Sequence, residues 1–158
     1  MQDLQLSIPY CKVSYAELDD ARRQLVDLAR QYTHNSYSPY SHFSVGAAIR
    51  LDNGEIVCGA NQENAAFPSG TCAERSACYS AGARFPQAHF EAIAIAARGV
   101  DGNEVAAPIS PCGACRQALL EYEGLAGHDV EVILVGADAI VILPSVRSLL
   151  PFAFTDLG

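Results

Sequence analysis

Leu18, Ala21, Leu25, Leu28 and Tyr32 recur at intervals of three or four, the spacing of one apolar helical face. Just upstream, Ser14 and Glu17 stand at capping-box spacing, so a helix is expected from there to about residues 32–35. Residues 35–41 form a polar loop rich in tyrosine. The period then falls to two: Phe43, Val45, Ala47, Ile49 and Leu51 alternate, which predicts a strand. Asp52-Asn53-Gly54 has turn chemistry, and residues 55–58 return as the hairpin partner. Residues 59–70 are irregular. A helix is expected from Thr71 to about Gly82 and another from Pro111 toward Gly124, since both end on glycine. Runs 90–97 and 130–135 read as buried strands, 140–143 as a short strand and 145–150 as a brief helix. Residues 101–107 look like an excursion. After the initial hairpin, helix and strand alternate, which gives an α/β fold with a mixed sheet covered by helices on both faces.

Composition sharpens this picture. The chain has 158 residues, 50% hydrophobic and 18% charged, enough for one folded domain spanning 1–158. Within it, residues 1–13 are expected to be an N-terminal extension and 145–158 a tail at a subunit interface, because Leu149-Leu150-Pro151-Phe152-Ala153-Phe154 is apolar enough to need a partner or a groove. The formal charge of -8 repels polyphosphate, so no nucleic-acid partner is expected. No run approaches eighteen apolar residues and no signal-peptide pattern is present, which makes no membrane association and a cytoplasmic location the expectation.

The chemistry concentrates in Thr71-Cys72-Ala73-Glu74-Arg75 and Pro111-Cys112-Gly113-Ala114-Cys115. Three thiolates around one divalent ion favour zinc, and three protein ligands leave a position for water. Glu74, two residues from Cys72, is placed to move protons beside that water. A zinc nucleobase deaminase with three cysteines has this pattern. Both segments look like helix starts: Thr71 and Glu74 have capping-box spacing, and Ser110-Pro111 reads as N-cap then N1. Such positions lower a thiol pKa. Arg75 can offset the excess negative charge of three thiolates on one zinc ion. Cys11, Cys58 and Cys78 remain as reduced or buried small side chains. Asn61 and Glu63 suit a hydroxyl ligand, although Asn61 can equally satisfy its own loop. Phe43 can pack in the core and face a pocket at once. Backbone groups near Ala73 and Ser110 are candidates for orienting a base.

Four ordered blocks carry a wider resemblance. They are Ser38-Pro39-Tyr40-Ser41-x-Phe43-x-Val45-Gly46-Ala47-Ala48, Gly59-x-Asn61-x-Glu63-Asn64-Ala65, the two cysteine segments, and Leu149-Leu150-Pro151-x-x-Phe154. Together they resemble the cytidine deaminase family, in its small homotetrameric zinc-dependent type. The resemblance implies a three-layer α/β/α sandwich around a five-stranded mixed sheet. It implies one zinc ion per subunit on Cys72, Cys112 and Cys115, with Glu74 shuttling protons. Asn61 and Glu63 match residues that bind the ribose 3'-hydroxyl, and Phe43 matches an aromatic that packs on the pyrimidine. Phe154 matches one that reaches into a neighbouring subunit's pocket. Arg75 matches a residue that contacts the thiolates, and Gln117, which follows the last ligand by two positions, is assigned a supporting role behind them. The implied activity is hydrolysis of free cytidine and 2'-deoxycytidine to uridine and 2'-deoxyuridine with release of ammonia, in pyrimidine salvage, by a homotetramer with shared active sites. Deamination of an aminoacyl-nucleoside antibiotic is the nearest alternative. A structural zinc module with four protein ligands, or a redox pair at Cys112 and Cys115, leaves Glu74 and the sugar loop unexplained. Gln62 and Ala66 depart from the common family pattern, as does 84–87.

Overall fold

The computed structural model describes residues 1–156. Six strands form one sheet: β1 (Cys11–Val13), β2 (Ser44–Leu51), β3 (Ile56–Ala60), β4 (Phe90–Arg98), β5 (Glu131–Val135) and β6 (Ile140–Leu143). Their order is β1-β6-β5-β4-β2-β3. Only β4 and β5 run parallel among the described residues. The α3 helix (Gly113–Ala126) lies in that parallel crossover, as a parallel pair requires.

Side-chain alternation along β4 separates two cores. Ala92, Ala94 and Ala96 face α1 (Asp20–Tyr32), where Leu25, Val26 and Ala29 are fully buried. Ile93 and Ile95 face the opposite side, against Ala77, Cys78 and Ala81 of α2 (Ala73–Arg84) and Leu119 of α3. The result is a three-layer sandwich with α1 on one face and α2 and α3 on the other. Small residues set the layer spacing. A Cβ at Gly46 would collide with the Ala29 carbonyl, and one at Gly59 would lie 2.5 Å from Ala77 N and 2.6 Å from Ala73 O. The second contact seats the start of α2 directly on β3, and so fixes the residue that precedes it, Cys72.

The sheet has six strands where five were expected. Cys11–Val13 pairs antiparallel with β6, Cys11 opposite Ile142 and Val13 opposite Ile140. This covers backbone groups that an edge strand would otherwise leave open. A three-residue strand is too short to show alternation, so periodicity could not reveal it. The Ser14 capping box does form, with Ser14 N donating to Glu17 Oε2 at 2.7 Å. However, it closes a 3-10 turn at Tyr15–Glu17, and α1 starts later, where the Asp19 side chain accepts from Arg22 N at 2.8 Å. Gly127, at φ 70°, ends α3. Among the described residues no helix is long and apolar enough to cross a membrane.

Candidate active site

Two helix N-termini meet on one face of the sheet. Cys72 is the N-cap of α2, Cys112 is the N-cap of α3, and Cys115 follows in the first turn of α3. The predicted Thr71–Glu74 and Ser110–Pro111 caps are displaced by one or two residues. Neither cysteine N-cap makes a side-chain capping bond, which leaves the sulfurs free to turn toward each other. Cys72 Sγ lies 3.9 Å from Cys112 Sγ, and Cys112 Sγ lies 3.4 Å from Cys115 Sγ. All three are within 4.8 Å of one another. A disulfide needs about 2.05 Å, so these are separate thiols. Tetrahedral zinc with sulfur at about 2.3 Å requires about 3.8 Å between sulfurs, and the observed spacings bracket that value. Among the described residues no fourth Cys, His, Asp or Glu joins the cluster. Cys78 is buried apart from it, its thiol pushed up to about 12 by burial.

The electrostatics suit a thiolate site. The hydrogen bond from Cys115 and the nearby Arg75 guanidinium pull Cys72 down to about 5, against the opposing effect of burial. Cys115, as the partner that holds the proton, is raised. Arg75 Nη2 donates to Cys72 Sγ at 3.9 Å, while its Nε is buried with no hydrogen-bond partner among the described residues. Glu74 is only 4% exposed. Burial, followed by the charge on Cys72, raises its carboxyl pKa, and Cys115 lies within hydrogen-bonding reach. A carboxyl held dry beside the Cys72 and Cys115 sulfurs is suited to taking and returning a proton.

A cleft of about 520 Å³ opens beside Cys72, walled by Tyr40, Ser41, Asn61, Glu63 and Phe67 among others. Glu63 Oε2 accepts from the backbone N–H groups of Tyr40 at 2.9 Å and Ser41 at 3.2 Å. The Ser41 hydroxyl, then the Tyr40 amide, hold its carboxyl below the usual range. Asn61 Oδ1 accepts from Val45 N at 2.8 Å and Ser36 Oγ at 2.6 Å, and Nδ2 donates to the Phe43 carbonyl at 2.9 Å. Asn61 therefore braces its loop and borders the cleft together.

The remaining candidates lie further off. Phe43 is half-buried and does not wall the cleft. Ala73 is fully buried behind Cys72. Phe154 is 68% exposed. Gln117 Nε2 donates to the Phe154 carbonyl at 2.8 Å, so it engages the tail. Arg116 does more for the thiol loop, donating to the Pro111 carbonyl at 2.8 Å and the Leu149 carbonyl at 2.7 Å. Tyr40 and Phe67, paired edge-to-face at 5.8 Å, were missed as cleft residues. An aromatic inside an otherwise polar loop was the available signal for Phe67.

The model of the cytidine and deoxycytidylate deaminase zinc-binding region matches residues 19–126. The chain belongs to this family. The matched zinc-binding region contains Cys72, Cys112 and Cys115, together with Glu74, Asn61 and Glu63, whereas Phe154 lies beyond it. One zinc ion per chain fits both the matched region and the thiol cluster. A cytidine deaminase of Halalkalibacterium halodurans is 37% identical over 134 residues, covering 85% of this chain and 94% of that protein. One from Sporosarcina psychrophila is 35% identical, covering 84% and 90%. Among solved structures, a cytidine deaminase from Burkholderia pseudomallei aligns at TM-score 0.68 and 36% identity, covering 83% of this chain and 97% of that one. The Mycobacterium tuberculosis enzyme aligns at TM-score 0.68 and 30% identity, covering 87% and 100%.

Proposed function

We propose that this protein hydrolyses free cytidine and 2'-deoxycytidine to uridine and 2'-deoxyuridine, releasing ammonia, as a step of pyrimidine salvage. The observation that carries this reading is the convergence of three thiols and one buried carboxyl at paired helix starts. Cys72, Cys112 and Cys115 would hold zinc, which when bound would supply an acidified water and Lewis-acid stabilisation of the oxygen charge that develops during attack on C4. Glu74 takes the proton of the attacking water and gives it to ring N3. As the C4–N bond breaks, Glu74 receives the new hydroxyl proton and passes it to the amino group, which leaves as ammonia. Arg75 spreads the charge of the Cys72 sulfur. Asn61 and Glu63 hold the sugar through its 3'-hydroxyl, and backbone groups at Ala73 orient the base. Phe43, outside the cleft lining, bears on the site through its carbonyl, which accepts from Asn61, and Gln117 steadies the tail that carries Phe154.

The reading extends to a cytoplasmic homotetramer with shared active sites. A ligand set of reduced thiols favours that compartment. The assembly is supported by aromatics left in solvent: Phe67, Phe152 and Phe154 are 74%, 102% and 68% exposed. The test follows cytidine loss and ammonia release beside measured zinc content. Stoichiometric ammonia at one zinc per chain is expected. Zinc-loaded protein that leaves both nucleosides intact would reject the reading.

A further inference from the structure

The bracing of Asn61 bears on which groups the cleft accepts. A side-chain amide offers two acceptor positions on oxygen and two N–H donors. On Asn61 both acceptor positions are filled, one by Val45 N and one by the Ser36 hydroxyl. One N–H is taken by the Phe43 carbonyl. A single N–H donor remains for a ligand. Glu63 is complementary. It is an ionised carboxylate, fixed by Tyr40 and Ser41, and can only accept. A ligand group between them must accept from Asn61 and donate to Glu63, as a hydroxyl does. Fluorine, an ether oxygen or hydrogen cannot do both.

Ser36 is held firmly enough for this task. Tyr37 N donates to the Asn61 carbonyl at 3.0 Å, and Glu63 N donates to the Tyr37 carbonyl at 2.8 Å. These bonds strap residues 36–38 alongside 61–63. The Ser36 hydroxyl has one proton. Its Asn61 acceptor, at 2.6 Å, is closer than its other acceptor, Ser38 Oγ at 3.1 Å. Ser38 Oγ is in turn 3.2 Å from Ser44 Oγ. The backbone contacts alone set which way the amide points. The contribution of Ser36 is to close its second acceptor position.

We propose that Ser36 is a positioning and selectivity residue: by occupying Asn61 Oδ1 it makes Asn61 a donor only, so that Asn61 and Glu63 together select a sugar hydroxyl. This rests on the reading that these two residues hold the sugar. Without the Ser36 hydroxyl, Asn61 Oδ1 is open to water or to the ligand's own proton, and Glu63 loses its exclusive claim on that proton.

The test compares 2'-deoxycytidine with 2',3'-dideoxycytidine, which differ only in the 3'-hydroxyl, on zinc-loaded wild type, Ser36→Ala and Ser36→Thr. Wild type is expected to prefer 2'-deoxycytidine strongly in kcat/KM. Ser36→Ala should narrow that ratio about three- to tenfold, the weight of one hydrogen bond. The loss should fall on 2'-deoxycytidine alone and mainly in KM, and Ser36→Thr should restore the ratio. A wild-type preference that Ser36→Ala leaves unchanged, or equal losses on both nucleosides, overturns the role of Ser36 alone. A wild-type ratio near one shows that Asn61 and Glu63 do not hold the 3'-hydroxyl, and overturns both readings.

Discussion

Glu74 is isosteric with glutamine, and its burial makes the exchange informative. At 4% exposure, glutamine fills the same space but cannot take a proton. The thiols do not depend on it, so Glu74→Gln is expected to retain one zinc per chain. Turnover should fall by about 10²–10⁴ or more, the weight of a lost general acid-base. Metal analysis beside single-turnover rates checks both halves. A near-normal rate in zinc-loaded Glu74→Gln protein would remove Glu74 from the chemistry. At this scale the thiol cluster and the buried carboxyl next to it were legible in the chain itself. Three cysteines and one glutamate at fixed spacing constrain each other through one metal geometry. Asn61 was legible only as an alternative between loop brace and ligand, because an amide serves both. Its three bonds make it the brace, and its remaining N–H keeps it available as a ligand. Ser36 carried no signal, since a lone serine in a polar loop has many possible partners.

The helix and strand types followed from period, whereas their ends followed from backbone hydrogen bonding. The capping box at Ser14 was real but belonged to a 3-10 turn, since a box satisfies two N–H groups whatever helix follows. The α3 helix holds a sharper case. Glu123 falls four residues after Leu119 on the buried stripe and is 2% exposed. Period alone marks it as a misplaced charge. In the structure its Oε2 accepts from Val130 N at 3.0 Å and Val146 N at 2.7 Å, and Oε1 accepts from Arg147 N at 3.1 Å. One carboxylate thus ties the end of α3 to the approach of β5 and to the tail. Glu123→Ala would leave three backbone donors without their acceptor. It is expected to cost about 3 kcal/mol or more, read as a lower urea midpoint at unchanged m-value. A cost below about 0.5 kcal/mol, the level of an ordinary surface change, would show that water replaces the carboxylate and that the clamp is dispensable.

Across the whole molecule, the thiol cluster joins the N-terminal ends of two helices that also pack directly, with Tyr122 of α3 against Gly82 of α2. Cys72 belongs to α2, while Cys112 and Cys115 belong to α3, so a metal held there links separate parts of the chain. Binding confined to the folded state stabilises it, and removing the metal releases that stabilisation. Chelation is therefore expected to lower Tm and to open the cleft side of the sandwich. The six cysteines provide a local readout of the same event. Burial pushes Cys58 up to about 11 and Cys78 up to about 12. At pH 8 a thiol of pKa 11 is about one part in a thousand thiolate. These two should react slowly with a thiol reagent before and after chelation, so long as the fold persists. Cys11 is exposed on the edge strand and should react in both states. Cys72 and Cys112 should be protected by metal and become reactive on its removal, Cys72 fastest because Cys115 and Arg75 favour its thiolate, while Cys115, buried and with its thiol raised, should stay slow like Cys58 and Cys78. Peptide mapping of the labelled protein separates these classes. Labelling of Cys58 and Cys78 in step with the ligand set would mean that chelation unfolds the chain as a whole. Cys72 and Cys112 equally reactive with and without metal would mean that they do not hold the ion.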